Sequence, residues 1–219
     1  MMNNYINPNL INNFFAGLNQ SGINYVLIKN VGDELPNRLK QGKDVDIVVH
    51  PDSKQAFHNY IKKIARQRVH PRGKECGWHN MYGLAQFEFW RLNAADDFYI
   101  DVTYQLCCHS LMPNIWIPLD NVIQIDIWKN KIFDKEKEWW KLDDNLLFTY
   151  LIVRCVFDKQ VFSELYIQEI EKISEHIEVE KVKEYLKLVF FKFTEQLMCL
   201  IKDKEYSVII ESYLKFKDY

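Results

Sequence analysis

A chain of 219 residues suffices for one sizeable domain or two small ones sharing a core, and 48% apolar with 26% charged residues is globular composition that excludes wholesale disorder. A formal net charge of −2 excludes a general basic field for duplex nucleic acid. The five cysteines are odd in number and form no CxxC pair, which points to reduced thiols in the cytoplasm rather than a disulfide framework.

The first ten residues, MMNNYINPNL, lack the basic start and apolar run of an export signal. Pro8 then opens a helix with Leu10, Ile11, Phe14, Phe15 and Leu18 on one face, stopped at Ser21-Gly22. Asn24 to Lys29 reads as a short strand, Gly32 and Pro36 as a loop into an irregular connector ending at Gly42, and Lys43 to Val49 as a second strand. Pro51-Asp52-Ser53 starts a helix with Ala56, Phe57, Tyr60, Ile61 and Ile64 on its apolar face. Gly73, Gly77 and Gly83 punctuate a polar stretch, after which Leu84 to Leu92 and Phe98 to Leu106 alternate as a hairpin joined at 93–97. Val122 to Phe133 reads as a further β ribbon turning at Lys129-Asn130, and Trp139-Trp140 as the opening of a helical half with helices at 143–157, 161–176 and 179–201. The stretch 146–157, broken by Thr149 and Arg154, is too short to cross a bilayer and reads as a buried helix. The expected organisation is an α/β part with a mixed sheet and flanking helices over 1–138, followed by a C-terminal helical bundle over 139–219.

The most telling segment is Lys43-Asp44-Val45-Asp46-Ile47-Val48-Val49. In a strand, Asp44 and Asp46 point from one face while Val45, Ile47 and Val49 enter a core from the other. Two such charges about 6 Å apart repel by roughly 2–3 kcal/mol at an effective dielectric near 20, so solvent, a cationic side chain or a divalent ion must offset them. Mg²⁺ favours carboxylate oxygens. In the later strand Tyr99, Asp101 and Thr103 share a face, which makes Asp101 a third acid on a polar side.

A strand bearing Asp-x-Asp, a following helix and a further Asp on a later strand resemble the catalytic framework of the polymerase-beta-like nucleotidyltransferase superfamily. The run Gly42 to Val49 is similar to its core motif in the type found among bacterial surface-polysaccharide genes, and Leu151 to Lys159 resembles the start of its helical half. The resemblance implies that Asp44 and Asp46 hold one or two Mg²⁺ ions, that Asp101 completes the site and takes the acceptor proton, and that a nucleoside triphosphate or nucleotide-activated donor supplies the transferred group. It also implies a nucleotidyl or phospho-alcohol group passed to a hydroxyl of a small molecule or polysaccharide precursor. Where the family has a Gly-Ser pair after the first strand, this chain has Lys29-Asn30-Val31-Gly32-Asp33, and Lys29, with Arg38 and Lys43, is the candidate for phosphate charge. The lost pair keeps two other readings open, a catalytically silent nucleotide- or protein-binding module and a toxin-antitoxin type transferase acting on protein or RNA.

Other residues read more plainly. Cys76 with His79, and Cys107-Cys108-His109, lack a second ligand pair for zinc and read as buried thiols and loop histidines. His50 and His58 read as surface or capping residues. Arg154 within an apolar helix needs a partner, and Asp158 at i+4 supplies one, with a phosphate contact as the rival, and Lys159 reads similarly. Trp139, Trp140, Tyr166 and Phe190 to Phe193 read as packing, and the charged run from Glu169 to Lys181 as a solvated face.

Overall fold

The computed structural model describes residues 5–69, 80–81, 84–85, 87–93, 96–110 and 116–214. Cys76, His79 and the glycines at 73, 77 and 83 lie outside the described residues. Asn7, whose side chain accepts from the Asn9 amide at 3.0 Å, caps α1 (Pro8–Gln20), which buries Ile11, Phe14, Phe15 and Leu18 as their spacing requires. Then come β1 (Tyr25–Leu27), a 3₁₀ turn at Val31–Asp33, and β2 (Asp44–Val49). A second 3₁₀ turn leads into α2 (Lys54–Ile64), which buries Phe57 and Ile61. The chain continues through β3 (Gln67–Val69), β4 (Asn80–Met81), β5 (Leu84–Ala85), β6 (Phe87–Asn93), β7 (Phe98–Thr103), β8 (Cys107–His109) and β9 (Trp116–Pro118).

Two expectations fail in the next stretch. The ribbon expected from Val122 to Phe133 is α3 (Asn121–Asn130), and only β10 (Ile132–Asp134) is strand. The spacing of Ile123 and Ile127 decides this, since both bury at i and i+4 while Val122 and Ile125 stay exposed, and Asp120 caps the helix by accepting from the Val122 amide at 2.8 Å. Trp139 and Trp140, expected to open the helices, form β11 (Trp139–Lys141) instead, with Trp139 buried against Phe15 at 4.9 Å between ring centroids.

The run of consecutive helices begins at α4 (Asp144–Val153), which passes into a six-residue π-helix at Arg154–Lys159 ended by a left-handed Gln160 (φ 52°). The remainder is α5 (Glu164–Ser174), α6 (Val179–Phe190), α7 (Thr194–Lys202) and α8 (Tyr206–Leu214). The helix expected over 179–201 breaks at Phe191, whose φ of 50° no helix accommodates. No described helix is long and apolar enough to cross a membrane.

The architecture is mixed α/β. Seven strands form one sheet in the order β10-β11-β1-β2-β7-β6-β3, with β1–β11 and β2–β7 parallel and the other neighbours antiparallel. This sheet separates two cores. Val45, Ile47, Val49, Ile100 and Val102 pack with the α1 and α2 side chains, while Val26, Ile28 and Val48 pack with α3 and the later helices. Burying each such Val or Ile is worth about 1.5–3 kcal/mol, so the apolar face of β2 outweighs the repulsion between its two acids and fixes the register that sets them side by side.

Candidate functional site

Gly42, at φ 81°, turns the chain into β2, and its amide bonds the Asp97 carbonyl at 3.2 Å just before β7. This ties together the starts of the two parallel strands. Their register sets Asp46 directly beside Asp101 and Asp44 beside Tyr99. One carboxylate oxygen from each of Asp44, Asp46 and Asp101 lies within 4.8 Å of the others, the one such group of metal-ligating side chains among the described residues.

The three acids differ in surroundings. Asp44 stands exposed at the mouth, where the surrounding protein and the Asp46 charge raise its carboxyl above the usual range. Burial acts to raise Asp46 too, but Lys29, Arg154 and Lys159 reverse that and hold it below the ordinary value. Asp101 sits beside Asp46 on the neighbouring strand, outside the cleft lining. Burial, then the charges of Asp46 and Asp44, push its carboxyl up to about 8, and its buried Oδ1 has no hydrogen-bond partner. Three oxygen donors, one of them buried and unpaired, fit a hard divalent cation such as Mg²⁺.

Facing Asp44 and Asp46 across a cleft of about 290 Å³ are Arg154, Lys159 and Tyr166 from the π-helix and α5, with Lys29 and Lys43 on the sheet side. The π-helix sets its first and last residues, Arg154 and Lys159, toward this space. Arg154 is anchored by Asp158 at 3.5 Å and by the hydroxyls of Tyr150 and Tyr166 at 3.3 and 3.2 Å. The intrahelical pair is therefore present, and its guanidinium also lines the cleft. Burial and the nearby Arg154 and Lys29 charges lower the Lys159 ammonium.

The remaining candidates divide. Lys29 pairs with Asp46, so it stands at the acids. Lys43 lines the cleft but pairs with Glu34 at 2.5 Å. Arg38 is turned to the carbonyls of Gly32 and Asp33 at 2.7 and 3.1 Å, and its side chain is not part of the cleft wall. His50 caps the turn at Pro51 by accepting from the Asp52 amide at 3.2 Å. Cys107 and Cys108 are buried strand thiols pushed up by burial, and His109 packs edge-on to Trp116 at 3.9 Å. Sequence reading weighed Lys159, like Arg154, between a local pair and a phosphate contact, and took Tyr166 as packing; both line the cleft. The only local signal was a polar Arg154-to-Lys159 step closing an apolar helix, a spacing that a 3.6-residue period does not place on one side.

No family model matches the chain, and no curated protein matches it in sequence. Among solved structures it is similar to the antibiotic-resistance factor ANT(2'')-Ia, with a TM-score of 0.47 and 9% identity over 87% of this chain and 94% of that one. It is also similar to the Thermotoga maritima CCA-adding enzyme, with a TM-score of 0.28 and 13% identity over 90% of this chain. The chain spans 52% of the length of that enzyme. At these values neither likeness bears on the chemistry, which rests on the acids and cations themselves.

Proposed function

We propose that the chain is a metal-dependent transferase of the polymerase-beta-like nucleotidyltransferase type, passing a nucleotidyl or phospho-alcohol group to a hydroxyl. The single observation that carries this reading is the meeting of Asp44, Asp46 and Asp101 from two neighbouring strands, with Lys29 paired to Asp46 and with Arg154 and Lys159 opposite. Asp44 and Asp46 are the residues to hold Mg²⁺, with Asp101 completing the set. A bound ion supplies charge neutralisation between a donor phosphate and an acceptor oxygen.

The protein's own groups supply the rest. Arg154 and Lys159, fixed on the helical wall, offer preorganised positive charge to a donor's phosphates where the family's Gly-Ser pair is missing. To Asp101, beside Asp46 on the neighbouring strand, we assign the acceptor proton, a role worth about 10²–10⁴-fold in rate. Lys43 and Arg38 are secondary candidates for phosphate contact. The acceptor is a small molecule or a polysaccharide precursor, and the reducing cytoplasm suits the four free cysteines among the described residues.

The Lys29–Asp46 pair is the observation that favours the rival, a silent binding module whose acid is already neutralised. Incubation with Mg²⁺, each nucleoside triphosphate and a panel of hydroxyl compounds, read by mass spectrometry, separates the two. A nucleotidyl adduct that vanishes in Asp44→Asn/Asp46→Asn supports transfer, and nucleotide binding with no adduct on any acceptor supports the module.

A further inference from the structure

Lys29 is the cleft residue whose place the proposed chemistry explains least. Its ammonium sits on the Asp46 carboxylate, one of the groups assigned to a metal ion. The pair is well shielded, with 15% and 13% of the two side chains exposed, so it is not a solvent-screened surface contact. Arg154 and Lys159 also act on Asp46 from the helical wall. Three cations therefore converge on one end of the cleft, and of these Arg154 already has Asp158, Tyr150 and Tyr166 to hold it.

Lys29 also has somewhere to go. Together with Asn30 it lines both the acid cleft and a second cavity of about 270 Å³. A divalent ion and an ammonium cannot both engage Asp46 without strong mutual repulsion unless an anion stands beside them. Bringing an ion to the acids would leave Lys29, Arg154 and Lys159 with too little negative charge nearby. A condensed phosphate supplies that charge.

Resting on the metal-dependent reading above, we infer that Lys29 is an exchangeable counter-ion. It neutralises Asp46 in the ion-free protein and turns to a condensed phosphate when a divalent ion takes the acids, so that ion and phosphate bind cooperatively. Linkage makes the coupling reciprocal, because the factor by which phosphate tightens the ion is the factor by which the ion tightens phosphate.

The test is calorimetric titration of Mn²⁺ into wild type, Lys29→Met and Lys29→Arg, with and without inorganic tripolyphosphate, after correction for Mn²⁺ complexed in solution. Lys29→Met is expected to bind Mn²⁺ alone about tenfold more tightly, roughly 1.4 kcal/mol, because the competitor is gone. Tripolyphosphate should then tighten Mn²⁺ much less than in wild type, while Lys29→Arg keeps the wild-type pattern. Should Lys29→Met fail to fold, Lys29→Gln carries the same expectation.

Unchanged or weaker Mn²⁺ binding in the uncharged variant, or an equal gain from tripolyphosphate in all three proteins, overturns the counter-ion role. Absence of saturable Mn²⁺ binding in wild type overturns it together with the metal-dependent reading. The expected ion behaviour without any transfer product counts against the enzyme and leaves the counter-ion role standing.

Discussion

The two faces of the sheet each bury a carboxylate, and they treat it in opposite ways. On the α1/α2 face Glu88, 3% exposed, is fully engaged. His58 Nε2 stands 2.7 and 2.9 Å from its two oxygens, and the Trp90 indole N–H donates to Oε2 at 3.0 Å. Around it Tyr104 approaches His58 at 3.1 Å, and Lys54 lies over the Tyr104 ring at 4.2 Å. On the helical face Asp101 is half-buried, with its enclosed Oδ1 unpaired, beside two further acids that raise its carboxyl. A buried acid with its bonds satisfied strengthens a fold, whereas one left wanting a partner next to like charges weakens it and invites a ligand. The contrast fits a structural role for Glu88 and supports the chemical role proposed for Asp101.

The sharpest way to break this comparison is to disable each face in turn. Asp44→Asn/Asp46→Asn is expected to lower the transfer rate by about 10⁴-fold or more, equivalent to roughly 5.5 kcal/mol, with the melting profile retained. Glu88→Gln should keep the rate within about tenfold of wild type. Equal losses from both substitutions would erase the distinction between the faces.

Stability inverts the pattern. His58→Ala leaves Glu88 short of a partner and should cost about 1–3 kcal/mol in urea denaturation with little change in turnover per folded molecule. Lys159→Met, at an exposed end of the helical wall, should do the reverse, lowering kcat/KM by about tenfold to a hundredfold without a measurable shift in the denaturation midpoint.

The smallest effect is a pH dependence. An acid raised to about 8 in the folded protein holds its proton across a range where the unfolded chain, titrating near the ordinary aspartate value of 3.8, has lost it. The folded state then binds more protons, so stability contributed by this group is present at low pH and is lost as pH rises toward 8. Asp101→Asn removes that slope and should make the ion-free protein more stable than wild type by about 1 kcal/mol or more at pH 8. A denaturation series across the same pH range that shows parallel curves for the two proteins would contradict the environment assigned to Asp101.

What sequence made legible follows from how local each cause is. The aspartate strand was readable because a period of two, with three β-branched residues on one face, leaves only one register in which both acids reach the cleft. The same logic found Asp101, whose neighbours Ile100 and Val102 are buried. It failed at α3, where isoleucines spaced by two and by four suit either element until the Asp120 cap decides. A three-residue strand such as β11 is too short to display any period, and its two tryptophans are equally at home in a helix. Fold order and the acids were therefore visible. The opposing wall was visible only as an alternative to an intrahelical pair, because Arg154 and Lys159 reach the cleft through a π-helix and through tertiary packing far from β2 in sequence.

The central claim is that Asp44, Asp46 and Asp101 jointly hold one divalent cation. Anomalous diffraction from crystals soaked in Mn²⁺ tests it most directly. The account predicts an anomalous peak touching a carboxylate oxygen of all three residues in wild type and none there in Asp101→Asn. A peak elsewhere, or one that persists unchanged without the Asp101 carboxylate, would contradict it.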